Sequence, residues 1–246
     1  MNMKVGISTV GLGGWYPRGV ARLIQKFHEC SPGYQIFAYV NVLPDAAPDG
    51  VIEDDYDYTG YCAKPFALMD ALVSGADIAI LLDAAFYPIR PIQPLVDHIH
   101  QHGYYLCKNG HTVGEWSSDR CLQRMGVPRE EAFTMEEASS YCVGVNFADG
   151  RCIELVQRWC GWAQDRLTIP GPHTSQWNTR TMPQCEGRNK GFVSHDKRVK
   201  GHRHDQSVLS ILAHRLGLIN LTERPKFTAY LGSESEETVL VNHGGL

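Results

Sequence analysis

Four clusters of polar side chains in this 246-residue chain have the residue types and spacing that chemistry requires. The first centres on Asp83, which ends the apolar run "DIAILLD" and is followed by two alanines and "FYPIRPI". A carboxylate at the carboxyl end of a buried strand stands where open α/β sheets hold their ligands, though a strand-end aspartate also serves as a turn former. Lys64, just ahead of that run, and Arg90, just after it, bring two cations within reach of the same acid.

The second cluster is "NGHTVGEWSSDRCL", with Glu115, Trp116 and Asp119 inside five residues at a helix start. Asp119 suits a helix cap, and equally a base or a partner for a sugar hydroxyl; Trp116 is either core or a platform for a sugar ring. The third is "KGHRHDQSVLS", where His202, Arg203, His204, Asp205 and Gln206 precede a helix with one apolar face. Two imidazoles and a carboxylate there suit a metal ion or an anionic diphosphate, against the alternative of a solvated capping cluster. The fourth is the loop "VGLGGWYPRG". Its glycines would let backbone N–H groups approach a phosphate, but the dinucleotide fingerprint needs a third glycine where Tyr16 stands, so a tight turn and a nucleotide loop both remain open.

The elements that must position these clusters alternate. "MKVGISTVG" reads as a strand, "VARLIQKFHEC" as a helix stopped by "SPG", and "YQIFAYVNVLP" as a second strand. "KPFALMDALVSG" is a helix ending at Gly75, "DIAILLD" a fully buried strand, "QPLVDHIHQHG" a helix closed by Gly103, and "YYLCKNG" a further strand. "SSDRCLQRMG", "RCIELVQRWCGWAQDR" and "DQSVLSILAHRLG" read as helices, "SYCVGVNFADG" and "KFTAYLG" as strands. This is the grammar of an α/β fold with a mostly parallel sheet. No repeat or linker divides the chain, so residues 1–246 are expected to form one domain.

Composition bounds the function. Net charge is −4, no apolar run reaches a membrane span, and the start "MNMKVGISTV" lacks a secretory signal, which predicts a cytoplasmic protein. Eight cysteines without a CxxC pair argue for reduced, mostly buried thiols rather than a zinc ribbon or a disulfide framework. "PDAAPDGVIEDDYDYTG", with six acids and no base, predicts a solvated surface loop. From Arg180 to Arg203 seven Lys and Arg face only Glu186 and Asp196, a local excess of +5 inside an irregular stretch from Thr168 to Lys200, so that segment is expected to meet an anion.

The glycine loop after the first strand, "KPFALMDAL" leading to "IAILLDAAFYPIRPI", then "GEWSSDRCL", "VGVNF" and "GHRHDQSVLSILAHRLG", together resemble the small GT-A-fold sugar-nucleotide glycosyltransferases of bacteria and large viruses, over most of residues 3 to 218. The resemblance implies a single-domain GT-A fold, a mixed and mostly parallel sheet flanked by helices. Residues 1–107 would bind mainly the nucleoside-diphosphate sugar, for instance a UDP-sugar, and residues 108–246 mainly the acceptor. Donor contacts would come from Gly11, Gly13, Trp15, Arg18, Lys64, Asp83, Arg90, His202 and Arg203. In the family the strand-end acid belongs to an Asp-x-Asp motif; here the triplet is Asp83-Ala84-Ala85, and the last position, normally the more direct metal ligand, is missing.

The departing diphosphate must be stabilised by a hard divalent cation or by Lys and Arg. Mn²⁺ or Mg²⁺ held by Asp83 with His202, His204 or Asp205 is one solution, and the basic segment is the other. An inverting transfer would use Asp119 or Glu115 as base, whereas a retaining one requires none. The acceptor is expected to be a carbohydrate or, given the basic segment, a hydroxymethylated base in DNA. If the source is viral, the location is the host cytoplasm. The Ala84-Ala85 departure also admits a nucleotide-sugar-binding module without catalysis, and the 180–203 segment admits a nucleic-acid-binding protein.

Overall fold

The computed structural model describes residues 3–12, 15–40, 54–165, 167–172, 174–175, 190–219 and 226–243. Along the chain these form β1 (Val5–Gly11), α1 (Tyr16–Cys30), β2 (Gln35–Val40), α2 (Asp54–Val73), β3 (Ile78–Asp83), β4 (Phe86–Pro88), α3 (Gln93–His102), β5 (Tyr104–Tyr105) and β6 (Lys108–Thr112). Then follow α4 (Asp119–Met125), α5 (Arg129–Ala132), β7 (Glu136–Ala138), β8 (Cys142–Asn146), α6 (Gly150–Gln164), β9 (Thr174–Ser175), β10 (Lys190–Gly191), α7 (His204–Arg215), β11 (Thr228–Tyr230) and β12 (Leu240–Asn242).

The main sheet has the order β2-β1-β3-β8-β5, with β1 parallel to β2 and β3, and β8 antiparallel to both β3 and β5. It is therefore a mixed sheet in which β8 alone is reversed. The continuous apolar run of β3 follows from cover on both faces. Ile78, Ile80 and Leu82 pack with Leu23 and Phe27 of α1 and with Leu95, Val96 and Ile99 of α3; Ala79 and Leu81 face the other way, toward Leu68 and Ala71 of α2 and Leu155, Val156 and Trp159 of α6. That alternation puts Asp83, at the strand's end, on the face that α2 covers. A smaller sheet, β11-β12-β4, packs beside α1 and α3, and β6 pairs with β7 in an antiparallel ribbon.

Most elements form where periodicity predicts them, with four differences. "KPFALMDALVSG" is the second half of α2, which starts ten residues earlier at Asp54. The second half of the expected acidic surface loop is thus helical; residues 41–53 lie outside the described residues. Pro65, placed at a helix start by the sequence pattern, is interior. "YYLCKNG" divides into β5 and β6 because the buried Leu106 and Cys107 turn the chain from the main sheet into the ribbon. The short elements β4, β7, β12 and α5 have too few residues to show a period. Six of the seven described cysteines are buried, and none of the seven is in a disulfide. Among the described residues no helix is long and apolar enough to cross a membrane.

Gly19 fixes how α1 approaches the strand end that carries Asp83. A Cβ at this position would lie well inside van der Waals contact with the Ala84 carbonyl oxygen, and would also crowd the Trp15 ring. Helix propensity predicts that Gly19→Ala stabilises α1, by about 1 kcal/mol. The contact predicts the opposite, a loss of about 1–3 kcal/mol as α1 and the Ala84 turn separate. Urea denaturation decides the sign.

Candidate functional site

The site is assembled at the carboxyl end of β3 from α2, the segment between β7 and β8, and the N-terminus of α7. Lys64, on the buried face of α2, places Nζ 2.7 Å from Asp83 Oδ1 and 3.1 Å from Asp205 Oδ2. Ser140 lies at the edge of reach, its carbonyl and hydroxyl oxygens 3.5 and 3.4 Å from Nζ. Asp83 is tied to this segment through its backbone, donating its N–H to the Tyr141 carbonyl. Gln206, next to Asp205, accepts the Ser140 N–H through Oε1 (3.2 Å). Three segments far apart in sequence thereby meet on one ammonium.

The electrostatics follow from unequal burial. Asp205 and Lys64 are buried, whereas the Asp83 side chain is 34% exposed and forms the outer face of the cluster. Burial works to lower the Lys64 pKa, but Asp205 and Asp83 outweigh it and hold the pKa above the ordinary lysine value. Burial pushes the Asp205 carboxyl up, with Asp83 adding repulsion and Lys64 opposing both. Tyr61, one turn before Lys64, stacks on His204 with ring centroids 4.3 Å apart and 16° between planes. His204 is the only described non-glycine residue with a positive φ (+49°), a costly backbone state kept where surrounding contacts over-determine it.

The expected site residues fall into two groups. Lys64, Asp83 and Asp205 come together. His202 is fully buried, accepts the Ser118 N–H at Nδ1 (3.3 Å) and lies with Nε2 2.8 Å from the Ile169 carbonyl, a pairing that uses both ring nitrogens within the chain and fixes the Nε2–H tautomer. His204 Nδ1 lies 3.2 Å from the same carbonyl. Among the described residues no three His, Cys, Asp or Glu side chains are grouped to hold a metal ion. The donors expected for a divalent cation thus divide between an ammonium and a backbone carbonyl.

Arg90 is not beside Asp83. Its Nη1 donates to the carbonyls of Ser235, Glu236 and Thr238 at 3.1, 2.6 and 3.2 Å, clamping the loop between β11 and β12. The cation near the Ala84-Ala85 turn is Arg22 of α1, which donates to the Ala85 carbonyl at 3.4 Å and lies over the Tyr87 ring. Arg18, one turn earlier, is exposed. Gly11 is a packing glycine, since a Cβ there would meet Val20 and the Tyr16 backbone, and Trp15 stacks on Tyr16. Gly13 lies outside the described residues.

Both expected bases are engaged by donors of the chain itself. Asp119 Oδ1 accepts from Arg129 Nη2 (2.6 Å) and Ser194 Oγ (2.7 Å), and Oδ2 from the His195 amide (3.3 Å). Burial works to raise its pKa, but those donors hold it below the usual carboxylate range. Glu115 is opposed by burial in the same way, and is lowered by the Lys200 ammonium at 2.7 Å and the Thr112 amide at 2.9 Å. Both carboxyls are thus held on the ionised side by partners within the chain.

A second carboxyl moved toward neutrality, besides Asp205, is Glu137 in β7, a residue with no signal in the sequence pattern. It is completely buried, and burial pushes its pKa up to about 7 against the opposing pull of Arg203, Asn109 and Gln206. Arg203 stacks over Trp116 at 4.3 Å with Nη1 4.0 Å from Glu137. Trp116 is therefore core with a cation on its face. Elsewhere in the basic segment, Arg198 pairs with Asp196 and Glu130. With Lys200 on Glu115, three of the segment's cations answer the chain's own acids, while Lys197 is exposed and Arg180 and Arg188 lie outside the described residues.

No family model matches the chain, and no curated protein matches it. Among solved structures, the chain is similar to a glycosyltransferase involved in the glycosylation of the major capsid of PBCV-1, with 11% sequence identity, 97% of this chain and 93% of that chain covered, and a TM-score of 0.46.

Proposed function

We propose that this protein is a glycosyltransferase that moves a sugar from a nucleoside-diphosphate sugar to an acceptor hydroxyl, with Asp83 facing the donor. The observation that supports it is the convergence of Lys64, Asp83 and Asp205 at the carboxyl end of a central strand, where open α/β sheets bind nucleotides. Lys64, 2.7 Å from Oδ1, fixes the Asp83 carboxyl in direction, so that its exposed edge accepts hydrogen bonds from a ligand's hydroxyl groups without reorganising. A ribose or hexose diol supplies such donors. The resemblance in sequence supports the same assignment.

A panel of UDP- and GDP-sugars, read by thermal shift, tests the donor. One nucleotide sugar is expected to stabilise the protein, and Asp83→Ala to weaken that binding about 10- to 100-fold, the value of one hydrogen bond to a charged group. Unchanged donor binding by Asp83→Ala would remove the assignment. Binding without transfer to any acceptor would make the chain a nucleotide-sugar-binding module. A carbohydrate is the proposed acceptor, because Arg198, Lys200 and Arg203 are engaged by the chain's own acids. Mass increase of hydroxymethyl-containing duplex DNA, with none on glycans, would instead assign the polyanion.

A further inference from the structure

We propose that the Lys64 ammonium stands in for the divalent cation, so that the donor binds over Asp83 without a metal ion. The inference rests on the nucleotide-sugar reading above and adds to it how that site is charged. Two carboxylates from opposite halves of the chain, Asp83 and Asp205, aim oxygens at one point, and Nζ is at that point, 2.7 and 3.1 Å from them. Those are N–H···O separations. A hard cation such as Mg²⁺ requires oxygens at about 2.0–2.1 Å, so it enters only by displacing the ammonium, and beside the ammonium it meets a like charge in a buried place.

Among the described residues the remaining expected donors do not offer a second position. Ala84 and Ala85 have no side-chain oxygen where the familiar motif has one. His202 has both ring nitrogens in hydrogen bonds, and His204 turns Nδ1 to the Ile169 carbonyl and its ring face to Tyr61. Positive charge for an anionic ligand comes instead from α1. Arg22 reaches the Ala85 carbonyl at 3.4 Å, and Arg18 lies one turn earlier on the same helix, toward the loop that leaves β1. A diphosphate at that edge would be balanced by guanidinium groups, as phosphate binding by arginine commonly is.

Mn²⁺ uptake measured by electron paramagnetic resonance, alongside melting temperatures, tests this on the full chain. Wild type is expected to leave the free Mn²⁺ signal unchanged and to be stabilised equally by its nucleotide sugar in EDTA and in Mn²⁺. Lys64→Ala vacates the position between the two carboxylates. That variant is expected to take up Mn²⁺ with about tenfold or greater gain in affinity over wild type, to melt higher with Mn²⁺ present, and to lose both effects when Asp83→Asn is added. Uptake of Mn²⁺ by wild type that disappears in Asp83→Asn overturns the proposal, as does a folded Lys64→Ala that takes up none. If Lys64→Ala does not fold even with Mn²⁺, the comparison of wild type with Asp83→Asn decides between the two outcomes. If no nucleotide sugar binds, the functional assignment fails while the Mn²⁺ measurements still decide the role of Lys64.

Discussion

Lys64→Met is expected to destabilise the protein by about 3–5 kcal/mol, the cost of leaving a buried charge without its partner. The methionine keeps the length and apolar stem of the lysine, so little packing is lost and the change isolates the charge. Asp205 is the residue that bears the loss: its side chain is 2% exposed, and Lys64 Nζ at 3.1 Å is the one ion-pair partner described for it. Asp83, one third exposed, recovers water when the ammonium goes and contributes less. The double variant Lys64→Met/Asp205→Asn should therefore recover part of the lost stability, with a coupling of about 1–3 kcal/mol between the two sites. Equilibrium urea unfolding of wild type, the two single variants and the double variant measures it. Strict additivity would mean that Lys64 stabilises the fold by packing alone.

The same cluster shows how much of the site was legible. Asp83 and Lys64 were visible because each sits beside a strong apolar pattern, and "HRHDQS" because its composition is unusual before a helix. That Asp205, rather than either histidine, turns toward Lys64 was not visible. It depends on the backbone at His204, whose positive φ no propensity assigns to histidine at a helix start. Arg90 was misplaced for a related reason: proximity in sequence to a strand end says nothing about direction, and the clamp it makes on residues 235–238 requires β12, a three-residue strand with no readable period. The sheet itself was legible through the fully apolar β3. The reversal of β8 was not, since a strand covered on both faces reads alike in either direction. For Glu115 and Asp119 the residue type was legible and the surroundings were not, since their donors come from residues 112, 129, 194, 195 and 200.

Glu137→Gln is expected to stabilise the protein at neutral and alkaline pH and to do so less and less as the solution is acidified. Burial is the first cause of the raised pKa, which moves from 4.5 to about 7. A carboxyl whose pKa rises on folding binds more protons in the folded state than in the unfolded state between those two values, so its contribution to stability falls as pH rises through that window. At about 1.36 kcal/mol per pKa unit the whole effect is at most about 3 kcal/mol, complete above pH 7 and absent below pH 4.5. Glutamine reproduces the protonated acid in shape and neutrality, and keeps an oxygen for the Asn109 amide that donates to Glu137 Oε2. What it removes is the pairing with Arg203 at 4.0 Å, a long contact from a guanidinium already stacked on Trp116. Taking the difference in urea midpoint between variant and wild type at steps from about pH 4.5 to 8.5 cancels every titration the two share. A gain that grows across that range and levels off above pH 7 identifies Glu137 as a buried acid held near its protonation point beside the α7 N-terminus. A constant difference, or one that grows toward acid, would mean that Arg203 holds Glu137 ionised after all.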